Sequence, residues 1–221
     1  MSVRFSEAWT DLGRRLDLSG PAWAAVGEDL QDRYSGEGRY YHDVSHIEAV
    51  LASLEELCGR PSVVQQLAAF YHDAVYLAAA SDNEEQSARL AERQLGELGV
   101  EAGVIEAMVT AVEATATHSV PAVPSCGITA EDIGVFLDAD LAVLAAPPDE
   151  YAAYRQAIRR EYGHLDEDTF TTGRLAVLER FMERPELFFS AAGQRLDAPA
   201  RANLRAEITA LLCRQSERGT S

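Results

Sequence analysis

The sequence predicts an all-α fold, a single helical bundle of about nine or ten helices. Three observations predict it: apolar residues recur three and four positions apart almost throughout, no segment alternates as a half-buried strand would, and capping or breaking residues bracket the apolar runs. Val44, Ile47, Leu51, Leu54 and Cys58 fall on one stripe of a helix. Similar stripes run through Ile105, Met108, Val112 and Ala116, through Ile133, Phe136, Leu137, Leu141 and Leu144, and through Leu175, Leu178, Phe181 and Met182. Ser81-Asp82-Asn83-Glu84 predicts a capping box ahead of a helix that reaches Leu98, with Gly99 as its C-cap. Pro61, Pro147 and Pro148 stand where helices should begin, and residues 35–38 and 121–127 read as loops.

Length and composition narrow the function classes. The chain has 221 residues, of which 47% are hydrophobic and 25% charged, so it can bury a sizeable core and is too apolar for intrinsic disorder. No linker is long or polar enough to separate two domains, and residues 1–221 are expected to form one. Against 19 basic side chains stand 36 acidic ones, a formal charge of −17 with no compensating Lys/Arg block. A phosphate backbone or an anionic membrane surface would meet like charge, which argues against general nucleic-acid binding and against membrane association. Cys58, Cys126 and Cys213 are far apart and read as free thiols in a reducing compartment. The first residues carry Glu7 and lack the apolar stretch of a signal peptide, so a cytoplasmic location is expected.

The most apolar region, 67–80, is interrupted by His72-Asp73. An unpaired carboxylate on such a buried helix would cost several kcal/mol, so Asp73 requires a partner: an arginine, a helix cap or a divalent cation. The chain has only five histidines, and two others, His42 and His46, are four apart and should share a helix face. In Phe136-Leu137-Asp138-Ala139-Asp140-Leu141, Asp140 lies in the middle of the apolar stripe while Asp138 points away from it. Asp140 is therefore expected inside, and the ion that satisfies Asp73 would satisfy it too. His46, His72, Asp73 and Asp140 together form a candidate ligand set for a divalent metal, drawn from three helices.

The order His, then His-Asp, then Asp resembles the HD superfamily of metal-dependent phosphohydrolases, with similar spacing over roughly residues 39–145. Further likeness, in Ser81-Asp82-Asn83-Glu84, in Ile158-Arg159-Arg160-Glu161-Tyr162 and in Ala198-Pro199-Ala200-Arg201-Ala202-Asn203-Leu204, points to the bacterial branch described as predicted metal-dependent HD-superfamily phosphohydrolases. The resemblance implies an HD-type bundle whose metal-site core, about 39–145, is covered by C-terminal helices over 149–215. It implies one divalent ion per chain, held by His46, His72, Asp73 and Asp140, with Mn, Mg, Zn, Fe, Co and Ni not distinguished. The implied reaction is hydrolysis of a small anionic phosphate ester or nucleotide by a water activated on that metal, with Asp73 in the catalytic centre. Tyr41-His42-x-x-x-His46 is also similar to a motif of cyclic-nucleotide phosphodiesterases, which would make His42 the general acid; Asp43 stands where that motif has Asn.

Two-metal HD proteins contribute two further histidines between the His-Asp pair and the last Asp, whereas only His118 lies there in this chain. His118 is thus expected as a substrate contact or an incomplete second-metal ligand. Arg39 is expected to meet the substrate anion, with Arg159, Arg160 and Arg174 as further candidate donors. Two rival functions stay open: an HD-fold di-iron oxygenase, and a non-catalytic, metal-stabilised module that binds an anion or a partner.

Overall fold

A computed structural model describes residues 2–122 and 127–219, and among these the only regular elements are ten α-helices and two short 3-10 helices. The predicted capping box at 81–84 is not what starts its helix: that helix begins at Asn83, and its N-cap Asp82 makes no side-chain cap bond. Asn83 instead exchanges two hydrogen bonds with the backbone of Leu77, both 3.0 Å, which ties back the loop after His72-Asp73. Gly99 does adopt the left-handed conformation expected of a C-cap, with φ at 75°.

The chain opens with α1 (Val3–Arg15) and α2 (Pro21–Tyr34), a hairpin joined by two stacked indoles. Each of Trp9 and Trp23 donates its indole N–H to the other's backbone carbonyl, at 2.9 and 3.1 Å. Gly13 and Gly27 make room for this pair, since a Cβ on either would come within 2.4 Å of the opposing indole. Both tryptophans are thereby buried with their polar atoms satisfied.

Next come α3 (Val44–Cys58) and α4 (Val63–Tyr71). Asp43 caps α3 by accepting from the backbone N–H groups of Ser45 and His46, while Ser62 and Gln65 close a reciprocal capping box on α4. Helix α4 is buried almost all round, from Val64 to Tyr71, and His72 is its C-cap. Around it pack α5 (Asn83–Glu97), α6 (Ala102–Ala114) and α7 (Ala130–Asp140), the last begun by a second capping box, Thr129 with Asp132.

A 3-10 turn, Leu141–Ala145, leads into α8 (Pro148–Glu161) and α9 (Glu167–Glu183); a second, Gly193–Leu196, leads into α10 (Asp197–Gly219). Buried side chains divide into two clusters. One runs from Phe5 to Ala139, the other from Leu141 to Leu211, so Asp140 stands at the seam between them. A carboxylate is tolerated at that seam because the imidazoles of His46, His72 and His118 meet it there. Cys58 and Cys213 are exposed free thiols, whereas Cys126 and most of the expected 121–127 loop lie outside the described residues. Among the described residues no helix is long and apolar enough to cross a membrane.

Candidate metal centre

His46 is carried on the first turn of α3, His72 and Asp73 at the end of α4, and Asp140 at the end of α7. The ligand atoms of His46, His72 and Asp140 all lie within 4.8 Å of one another, so these three residues could hold a metal ion. The two imidazole Nε2 atoms are 3.1 Å apart, and Asp140 Oδ1 lies 3.2 Å from one and 3.4 Å from the other. Asp73 also approaches both imidazoles, its Oδ2 3.1 Å from His72 Nε2 and 3.5 Å from His46 Nε2. Adjacent ligands of one cation, with bonds of ~2.0–2.2 Å and angles between octahedral and tetrahedral, stand ~2.8–3.6 Å apart, so the spacings among His46, His72 and Asp140 fit such an ion, while Asp73 contacts both imidazoles without belonging to that group of three.

The surroundings favour positive charge at the centre. Nδ1 of His72 lies 3.0 Å from the carbonyl of Ala69, and a neutral ring that donates there turns its Nε2 lone pair toward the other ligands. Burial opposes ionisation of Asp73 and Asp140, but the facing imidazoles outweigh it and hold both carboxyls well below their usual range. Burial likewise pushes the His72 ring down, yet Asp73 and Asp140 prevail and its pKa stands well above normal. Two carboxylates and two imidazoles packed this closely need either a shared proton or a cation.

Oδ2 of Asp140 points the other way, 2.9 Å from His118 Nε2. His118 adopts a left-handed backbone, φ 46°, and is braced from the far end of α9 by Arg184, which donates to the carbonyls of His118, at 2.7 Å, and Thr117. Asp138, two residues before Asp140, is not solvent-facing as the stripe predicts. It is fully buried and accepts from the backbone N–H groups of Phe189 and Ser190, at 2.7 and 2.8 Å. The segment before α10 covers that second face of α7, and Gly193 packs so closely that a Cβ would sit 2.1 Å from Asp138 Oδ2. Asp138 is a fastener for the C-terminal segment, while Asp140 alone of the two faces the site.

His42 lies before α3 rather than on it, so helical spacing is not what brings it near His46; their ring centroids are 5.8 Å apart. Glu161, at the end of α8, holds it there. One carboxylate oxygen, Oε1, accepts from the backbone N–H groups of Tyr40, Tyr41 and His42 at 2.7–2.9 Å. The other, Oε2, lies 2.7 Å from His42 Nδ1 and accepts from the Tyr76 hydroxyl at 3.0 Å. Burial would raise the Glu161 pKa, but the His42 contact and the backbone donors bring it down to about 2. Stacked on Tyr76 and anchored through Nδ1, the imidazole is fixed in orientation with Nε2 left for other partners.

Arg39 does not reach the cleft. Its guanidinium donates to the carbonyls of His42, Asp73 and Ala74, at 2.8, 2.8 and 3.1 Å, and lies over the rings of Tyr34 and Tyr76. The expected anion contact is therefore a clamp behind the site, binding the His42 segment to the His72-Asp73 segment. Arg159 is spent on Glu167 and two carbonyls, and Arg160 covers the ring of Tyr40. Arg174 alone of these later candidates lines the cleft, with its charge matched by Glu207 at 2.9 and 3.2 Å.

His42, His72, Asp73, His118 and Asp140 all open onto one cleft of about 630 Å³, roofed by α9. A second groove of about 570 Å³, walled by alanines of α3 and α8, reaches His46 and Asp140 from the opposite side. Tyr41 and Tyr154, packed edge to face at 4.6 Å, line both. Compared with protein-family models, curated proteins and solved structures, the chain matches none. Arg180 and Arg184, which also line the cleft, went unnoticed in the sequence, although their spacing of four on one helix marks them as neighbours. Glu161 gave no such sign, because its role depends on a segment 119 residues away.

Proposed function

We propose that the chain is a metal-dependent phosphohydrolase of the HD type, acting on a small phosphate ester or nucleotide. The observation that carries this reading is the convergence of His46, His72 and Asp140 within 4.8 Å of one another, with His72 and Asp140 on the wall of an accessible cleft and Asp73 alongside. A divalent cation bound there would supply Lewis acidity, neutralising phosphoryl oxygens and lowering the pKa of water. Two imidazole nitrogens among the donors favour a transition metal over Mg²⁺.

The other residues have roles that follow from their placement. His42, held through Nδ1 by Glu161, can carry a proton on Nε2 for the leaving oxygen, and Tyr76 prevents its ring from turning. His118 orients Asp140 through Oδ2 and leaves Oδ1 for the histidine pair. In a chain of net charge −17, anion binding depends on local positive charge, which the cation and the cleft arginines would provide.

The test combines metal analysis with a panel of aryl phosphates and nucleotides, assayed with and without Mn²⁺ or Mg²⁺. About one divalent ion per chain is expected, lost in His72→Ala and Asp73→Ala, together with phosphate release that requires the metal. An empty wild-type site under metal-replete conditions would overturn the ligand assignment. Oxygen uptake with a di-iron spectrum would assign the chain to the oxygenases instead, and saturable ligand binding without turnover would make it a binding module.

A further inference from the structure

We propose that Arg180 and Arg184 form a second anion-recognition site in the cleft, so that the substrate bears a second anionic group besides the phosphoryl group bound at the histidine–aspartate cluster. The substrate part of this inference rests on the phosphohydrolase reading; the anion site itself does not. Both arginines stand at the C-terminal end of α9, Arg180 in its last turn and Arg184 as its C-cap, and both line the cleft.

Their pairing is what sets them apart. Acidic side chains outnumber basic ones 36 to 19, and the neighbouring Arg174 is matched by Glu207. Neither Arg180 nor Arg184 forms an ion pair among the described residues. Like charges four apart on a helix repel, and burial together with the nearby Arg180 lowers the Arg184 pKa. The partial negative charge of a helix C-terminus accounts for basic residues in this turn. It does not account for Arg184 reaching across the cleft to the carbonyls of Thr117 and His118.

That reach fixes where the second anion would sit. His118 touches Asp140 through its ring and receives Arg184 at its carbonyl, so one histidine residue spans the gap between the guanidinium and the cluster. Phe181 stiffens the arrangement, lying under the Arg184 guanidinium at 5.0 Å and edge-on to His118 at 6.0 Å. Two of the five Arg184 N–H groups are occupied by these carbonyls; among the described residues the remainder, with the Arg180 guanidinium, are available to an anion. The short span suits a compact bis-anionic ligand, such as a small bisphosphate.

Calorimetric titration tests the proposal in two arms. In the first, pyrophosphate is added to chelator-stripped protein, wild type and Arg180→Ala, with Arg160→Ala as a control outside the cleft. Saturable binding is expected, weakened about tenfold or more by Arg180→Ala, as for loss of one charge-assisted hydrogen bond, and unchanged by Arg160→Ala. In the second, metal-loaded protein is titrated with glucose 1,6-bisphosphate and glucose 1-phosphate. The bisphosphate should bind more tightly, and Arg180→Ala should erase the difference while metal content stays at the wild-type level. No binding to stripped protein, an unaffected Arg180→Ala, or equal affinity for the two sugars would overturn the proposal. Because metal stoichiometry is measured separately, none of these outcomes bears on the ligand assignment.

Discussion

Glu161 Oε2 lies 2.7 Å from His42 Nδ1, while Oε1 of the same carboxylate accepts three consecutive backbone N–H groups. One buried side chain thus sets both the path of the 40–42 segment and the orientation of its histidine. Replacing it with Gln keeps the size but gives up the charge, and an amide cannot serve these donors as a carboxylate does. Glu161→Gln is expected to retain its metal and to lose ~10–100-fold in turnover, in line with other residues that orient an active group. Steady-state kinetics beside metal analysis would check this; unchanged turnover would show that His42 needs no such support.

The same carboxylate makes stability depend on pH. Its pKa falls from the usual 4.5 to about 2 in the folded state. A depressed folded-state pKa contributes stability that is present above the unfolded value and disappears as pH falls through the folded one. Urea unfolding midpoints should therefore decline as pH is lowered from about 4.5 toward 2. The decline should be shallower in Glu161→Gln, and parallel profiles would contradict the assignment.

Asp138 and Asp140 should differ in metal content after the same change. Asp138→Asn weakens the two backbone contacts that hold Phe189 and Ser190, and a cost of about 1–3 kcal/mol is expected with metal content preserved. Asp140→Asn should abolish metal binding and, in the presence of chelator, also lower stability at neutral pH, because the ionised carboxyl is favoured in the fold by the imidazoles of His72, His118 and His46. Paired denaturation curves and metal assays would decide the matter.

Arg39 should behave as a clamp. Arg39→Ala leaves three carbonyls without their donor and opens space between two rings, so a loss of about 2–4 kcal/mol is expected. If the proposed activity holds, the surviving folded protein should show a KM near wild type. A large rise in KM with unchanged stability would return Arg39 to the substrate.

Metal removal should also be visible in thermal unfolding. An ion that binds only the folded chain adds stability that grows with its concentration, about 4 kcal/mol at a thousandfold excess over Kd. Chelation should lower the unfolding temperature of the wild type and leave that of His72→Ala unchanged. Equal temperatures with and without chelator in the wild type would argue against a site of useful affinity.

Much of this was legible in one dimension. His72-Asp73 betrays itself by breaking an apolar run, and Asp140 by falling on an apolar stripe, since burying a charge is costly enough to demand a partner. Those arguments use only helix periodicity and the penalty for desolvation, both local properties. The same periodicity misjudged Asp138, because it registers one buried face and α7 is covered on two. The position of Arg39 just before the His42 motif assigns it to the substrate, whereas nearby carbonyls take its donors.

By itself, then, the sequence determined that the regular elements of this chain are helices and that His46, His72, Asp73 and Asp140 belong to one problem of buried charge. Only the tertiary structure decided that Glu161 anchors His42, that Asp138 fastens the C-terminal segment, and that Arg180 and Arg184 face the cleft with no ion pair among the described residues. The reason is physical: a residue's need for a partner follows from its own burial and charge, but the partner's identity depends on which distant surfaces pack together.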